Sequence, residues 1–110
     1  MNLRVHREAN LEVTEALSWY IRMNRHEVAG RLYRLWELGL EAIVDSPLMY
    51  PLAEDQPDQV ECRNYLLPRY GYRIVYQVAQ AEIYVVSFAR GRRRPGHWHD
   101  RLDANPAEPE

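Results

Sequence analysis

The chain contains no lysine: all fourteen of its basic residues are arginine. Its positive charge is therefore carried by planar guanidinium groups, which suit phosphate and carboxylate through paired donors. There is one cysteine, Cys62, which excludes an intramolecular disulfide. No apolar run approaches the roughly 18 residues of a membrane helix. The opening Met-Asn-Leu-Arg-Val-His has no apolar core of a signal peptide and no amphipathic presequence. Together these point to the cytoplasm. There is no internal repeat. What is present is an ordinary globular composition, 46% hydrophobic and 27% charged over 110 residues. That is the size of a single domain able to bury a core without disulfide or metal, and the composition excludes disorder over the whole length.

The net charge of −2 conceals a polar distribution. Residues 1–59 carry six Arg against ten acids, a net −4, while residues 60–102 carry eight Arg against three acids, a net +5. A basic C-terminal half points to an anionic partner, either nucleic acid or an acidic protein segment.

Leu3 and Val5 alternate with Arg4 and His6, a short strand. Asn10 is then placed to cap a helix in which Val13, Ala16, Leu17 and Tyr20 form one apolar stripe, ending near Asn24. Glu12, Glu15, Arg22 and Arg25 lie off that stripe and are expected in solvent, with Trp19 and Trp36 in the core. A second helix over residues 26–46 buries Val28, Leu32, Leu35, Trp36, Gly39 and Ile43. Gly39 costs about 1 kcal/mol relative to Ala in a helix interior, so its place on the stripe implies close approach of the other helix or of a sheet. Pro47 ends this helix, and residues 47–59 form a loop.

Three strands follow. Residues 61–67 form the first. Residues 72–78 set Tyr72, Ile74, Tyr76 and Val78 opposite Arg73, Val75 and Gln77. Residues 82–90 set Ile83, Val85, Ser87 and Ala89 opposite Tyr84, Val86, Phe88 and Arg90. The last two make a hairpin through a turn lacking the usual Gly or Asn. The expected fold class is α+β: a two-helix hairpin on a mostly antiparallel four-stranded sheet, in the order β-α-α-β-β-β. The uncovered sheet face would then gather the basic charge. Residues 1–102 form the domain, and residues 103–110 read as a disordered acidic tail.

Gly71-Tyr-Arg-Ile-Val-Tyr-Gln-Val78, then Ala89-Arg-Gly-Arg-Arg-Arg-Pro95, Trp98 and Arg101, resembles the RelE/ParE toxin superfamily of bacterial type II toxin–antitoxin systems. Ala16-Leu-Ser-Trp-Tyr20 and the second helix closed by Ser46-Pro47 agree with it. The C-terminal Arg-x-Pro, Trp and Arg pattern is similar to the ParE branch, the plasmid stabilisation proteins associated with poisoning DNA gyrase. The RelE branch instead cleaves messenger RNA on the ribosome. The resemblance implies a cognate antitoxin as partner, in a hetero-oligomer, and neither cofactor nor membrane.

Several residues are candidates for the activity. Arg73 matches an arginine that the RNA-cleaving branch uses at the scissile phosphate. Cleavage by a 2′-hydroxyl needs a proton acceptor, a proton donor and cations on the phosphorane. One of Arg90, Arg92, Arg93 or Arg94 would be the second cation, and His97 or His99 would move protons, since imidazole titrates near pH 6.5. The bland alternative has Arg73 solvating the sheet or pairing with Glu61. Against catalysis, the strand before Arg73 offers only Arg63. Tyr70 and Tyr72 are weaker candidates, and Tyr72 is expected in the core. His97 and His99 have no further ligands at metal spacing, and Cys62 reads as a buried strand cysteine. The favoured expectation is a binding toxin using Arg73, Arg90, Arg92, Arg93, Arg94, Trp98 and Arg101 as its target surface, with gyrase as target. The alternatives are a metal-independent, ribosome-dependent endoribonuclease and a non-toxic relative that only binds its antitoxin.

Overall fold

The computed structural model describes residues 1–91 and 96–102. The order is β1 (Asn2–Val5), α1 (Arg7–Arg22), α2 (His26–Asp45), β2 (Cys62–Leu66), β3 (Tyr72–Ala79) and β4 (Glu82–Arg90), with a short 3₁₀ turn at His99–Arg101. The sheet order is β1-β4-β3-β2, with β1 parallel to β4 and the remaining pairs antiparallel. This is the expected α+β architecture. Residues 92–95 and 103–110, which include Arg92, Arg93, Arg94 and the acidic tail, lie outside the described residues. Among the described residues no helix is long and apolar enough to cross a membrane.

Local chemistry explains where the helices begin and end. Helix α1 starts three residues before the expected Asn10 cap, because His6 caps it: its Nδ1 accepts the Glu8 N–H at 3.0 Å. The helix stops where Asn24 turns left-handed, at φ 58°. The Asn24 N–H then reaches the Ile21 carbonyl at 3.0 Å and the Arg25 N–H the Tyr20 carbonyl at 2.8 Å. That pair of bonds closes the orphan carbonyls of the helix end and turns the chain into α2. Helix α2 lies so close to the sheet that a Cβ on Gly39 would sit 2.8 Å from Ile74 Cδ1 and 3.1 Å from Tyr65 Cε1. The close approach inferred from Gly39 is thus to the sheet.

Two cores sandwich the sheet. The larger packs Val13, Ala16, Tyr20, Leu32, Trp36 and Ile43 of the helices against Ile74, Tyr76, Ile83, Val85 and Phe88. The smaller lies on the opposite face and joins Ala53, Cys62, Val75, Val86 and Trp98. That second face was expected to be open and basic. It is instead covered in large part by the loop after α2 and by residues 96–102, with Gln77 3% exposed.

A bulge corrects the expected faces of β4. Tyr76 pairs with Val85 but Val75 pairs with Ser87, so Val86 is an extra residue. One extra residue reverses the alternation beyond it. Phe88 therefore shares the helix-facing side with Ile83 and Val85, stacked on Tyr72 with ring centroids 4.6 Å apart and edge-on to Trp36 at 5.2 Å. Ser87 passes to the other side.

Candidate functional site

On the second face, Arg73 pairs across the strands with Leu66 on one side and Ala89 on the other. It is exposed and has no hydrogen-bond or ion-pair partner among the described residues. The pairing with Glu61 considered from sequence does not form, since Glu61 engages Arg63 at 2.8 Å. Val75 is two residues from Arg73 and pairs with Ser87, so Arg73 and Ser87 are diagonal neighbours on one face. His97 stands on Ser87, with Nε2 3.2 Å from the hydroxyl. The structure thus places two candidates, Arg73 and His97, on the same side of the sheet.

His97 is turned inward. The same Nε2 lies 3.7 Å from Glu12 Oε2, and the His97 side chain is 16% exposed. Glu12 reaches this position from α1 and is itself 7% exposed, contrary to the solvated role expected of it. Its Oε1 accepts the Phe88 N–H at 3.0 Å and an Arg101 Nη1–H at 2.8 Å, and Arg101 Nη1 also donates to the Val86 carbonyl at 3.0 Å. The reason is the shortness of β1, which pairs with β4 only as far as Val85. Beyond that point no strand of the described residues lies beside the outer edge of β4, and buried backbone groups need partners. Glu12 and Arg101 supply them, as a side-chain extension of the missing strand. Sequence reasoning missed Glu12, although Glu12, Ala16 and Tyr20 follow the same four-residue spacing as the apolar stripe.

Other candidates are also committed to the fold. Trp98 is 2% exposed inside the second core, and Arg101 holds Glu12, so both anchor the C-terminal segment. Asp55 fixes the same segment from the loop: its carboxylate accepts the Gly96 N–H at 2.7 Å, and its carbonyl oxygen contacts His99 Nε2. Arg90 points to the opposite, helix-facing side, where Nη1 donates to Tyr20 Oη at 3.2 Å and the guanidinium lies 5.3 Å from the Tyr72 ring centre. Arg73 and Arg90 therefore do not converge on one phosphate. Trp19, expected in the core, is 44% exposed. Tyr72 packs in the core, while Tyr70 adopts a φ of 72° and packs 6.2 Å from Tyr20, its buried hydroxyl without a hydrogen-bond partner among the described residues.

Two other chemistries are addressed by geometry. Cys62 is fully buried, and burial, helped by Asp55 and Glu61, pushes its thiol up to about 12. The thiolate required of a nucleophile is thus strongly disfavoured at neutral pH. Among the described residues no group of three His, Cys, Asp or Glu side chains is placed to share a metal ion. Neither a scan against protein-family models nor a search of curated proteins returned a match.

Proposed function

We propose that the chain is the toxin of a type II toxin–antitoxin module, of RelE/ParE type, which arrests growth by binding and poisoning DNA gyrase in the cytoplasm. The order of elements and the helical hairpin on a four-stranded sheet support the kinship expected from the motifs. The observation that carries the choice of binding over cleavage is the orientation of His97. Its Nε2 faces Ser87 and Glu12 inside the protein, while Arg73 stands exposed. Acid–base catalysis requires the proton-transfer group and the cation to reach the same phosphate. Binding requires only that an exposed side chain such as Arg73 reach the partner. A cognate antitoxin, laid over the toxin as an extended and partly helical chain, neutralises it.

The test is a supercoiling assay with purified gyrase, titrating toxin freed from its antitoxin, with the reconstituted complex as control. Inhibition by free toxin, reversed by antitoxin, is expected. Absence of inhibition from folded protein that is toxic in cells would overturn the proposal.

One observation favours a second reading, ribosome-dependent cleavage of messenger RNA: Arg73 and His97 share a sheet face. On that reading Arg73→Ala abolishes toxicity and RNA cutting while fold and antitoxin binding persist. Full toxicity of that variant would remove it. A non-toxic antitoxin-binding relative is the outcome if neither gyrase nor ribosome responds and expression leaves growth unchanged.

A further inference from the structure

On the helix-facing side an open groove of about 540 Å³ runs between α1 and the end of β4, its inner wall including Glu12, the carboxylate that also faces His97. Its size is that of a small-ligand site. One stripe of α1 lines it, formed by Glu15, Ser18, Trp19 and Arg22, and Arg90 closes it from β4. Glu15 and Arg22 are exposed and have no ion-pair partner among the described residues. Trp19 is 44% exposed but packs edge-on against Tyr20 at 5.0 Å, which leaves it an ordered platform. Arg90 is held by Tyr20 Oη and the Tyr72 ring, so less freedom is lost when it meets an anion.

The order along α1 is carboxylate, aromatic ring, guanidinium, with the Arg90 guanidinium on the β4 side of the groove. Glu15 and Arg22 are seven residues apart, about 10 Å along a helix axis. A nucleoside monophosphate spans a comparable distance from base edge to phosphate. An acidic peptide fits less well, because Glu15 repels it. Among the common bases, guanine presents two adjacent N–H donors on its outer edge, which a carboxylate accepts in parallel.

We propose that this groove binds a guanine nucleotide, with the base stacked on Trp19, its donor edge on Glu15 and its phosphate between Arg22 and Arg90. The ligand is either a free nucleotide or a guanosine within single-stranded RNA. The groove shares Arg90 with the residues expected at the gyrase surface but lies on the other side of the sheet from Arg73, and nucleotide binding is read without gyrase, so the supercoiling result does not decide it.

Calorimetric titration of the full chain with guanosine monophosphate, adenosine monophosphate and inorganic phosphate tests it. Guanosine monophosphate is expected to bind at least about fivefold more tightly than the adenine nucleotide, with phosphate alone weakest. Trp19→Ala is expected to weaken it at least about fivefold, and Trp19→Phe to restore most of the loss. Glu15→Gln should bring the guanine nucleotide to the adenine level. Because Trp36 and Trp98 are buried, ligand-dependent fluorescence quenching should vanish in Trp19→Phe. A short guanosine-containing oligoribonucleotide that binds more tightly than the mononucleotide, with the same dependence on Trp19, assigns the site to RNA; equal or weaker binding assigns it to free nucleotide. Guanosine monophosphate that binds no better than phosphate, or equally well to Trp19→Ala, overturns the proposal.

Discussion

Replacing Glu12 by alanine removes an acceptor that serves two donors from separate parts of the chain, the Phe88 N–H and the Arg101 guanidinium. The pair with Arg101 is 2.8 Å long, between side chains 12% and 7% exposed. Breaking a pair buried to this degree costs about 3–5 kcal/mol, because the surviving charge is left uncompensated. By contrast, Arg34 and Glu37 form a 3.8 Å pair with side chains 64% and 46% exposed, and exposed pairs are worth only about 0–1 kcal/mol. A domain of this size has roughly 5–15 kcal/mol in hand. Glu12→Ala therefore removes a large share of the stability, and Glu37→Ala should shift it by less than about 0.5 kcal/mol. Glu12→Gln keeps an acceptor for Phe88 but loses the charge facing Arg101, an intermediate loss of about 1–3 kcal/mol. Urea unfolding followed by tryptophan fluorescence reads all three, and the Gln variant supplies the number if the Ala variant does not fold. A Glu12→Ala loss below about 1 kcal/mol would refute the claim that this ion pair completes the edge of β4.

Gly39→Ala should destabilise by about 1–2 kcal/mol despite better helix propensity, because the new methyl meets Ile74 and the Tyr65 ring; thermal melting checks the sign. The turn residues Gln80 and Ala81 have φ of 48° and 62°, a two-residue turn that favours Asn-Gly, so Gln80→Asn with Ala81→Gly should stabilise by roughly 0.5–1 kcal/mol in the same melts. Cys62 and Tyr76 both hold their protons up to about 12, chiefly through burial, from ordinary values of 9.0 and 10.0. Both neutral forms favour the folded state, so their stabilisation is complete below about pH 9 and fades as pH rises toward 12. Urea midpoints at pH 8 and 11 should fall less in Cys62→Val than in the native chain.

The element order and most buried positions were legible because periodicity reports burial directly. Val13, Ala16, Tyr20, Leu32, Trp36 and Ile43 all lie in the core. Three features were not. A bulge leaves no mark where the extra residue, Val86, simply follows another valine, so strict alternation puts Phe88 on the wrong face. Trp19 flanks its stripe by a fraction of a turn, and periodicity cannot say which flank a sheet will cover. Glu12 is buried because β1 stops at Val5, and the length of one strand against another is set by tertiary pairing. The motif around Trp98 and Arg101 was visible, but its residues hold the C-terminal segment against the sheet, a role that the chemistry of Trp and Arg alone does not distinguish from recognition.

The pairing of β1 with β4 also governs when the chain can fold. Among the described residues Asn2–Val5 finds its one strand partner at residues 82–85, and Trp98 packs on the second face of the sheet. Contacts this distant in sequence slow folding, because a long loop must close before they form. During synthesis the first strand emerges with nothing to pair with, while the two helices can already meet as a hairpin. A chain lacking Trp98 would leave the second core without its largest side chain. The domain therefore assembles only once residues 82–85 can reach β1 and Trp98 can reach the second face of the sheet.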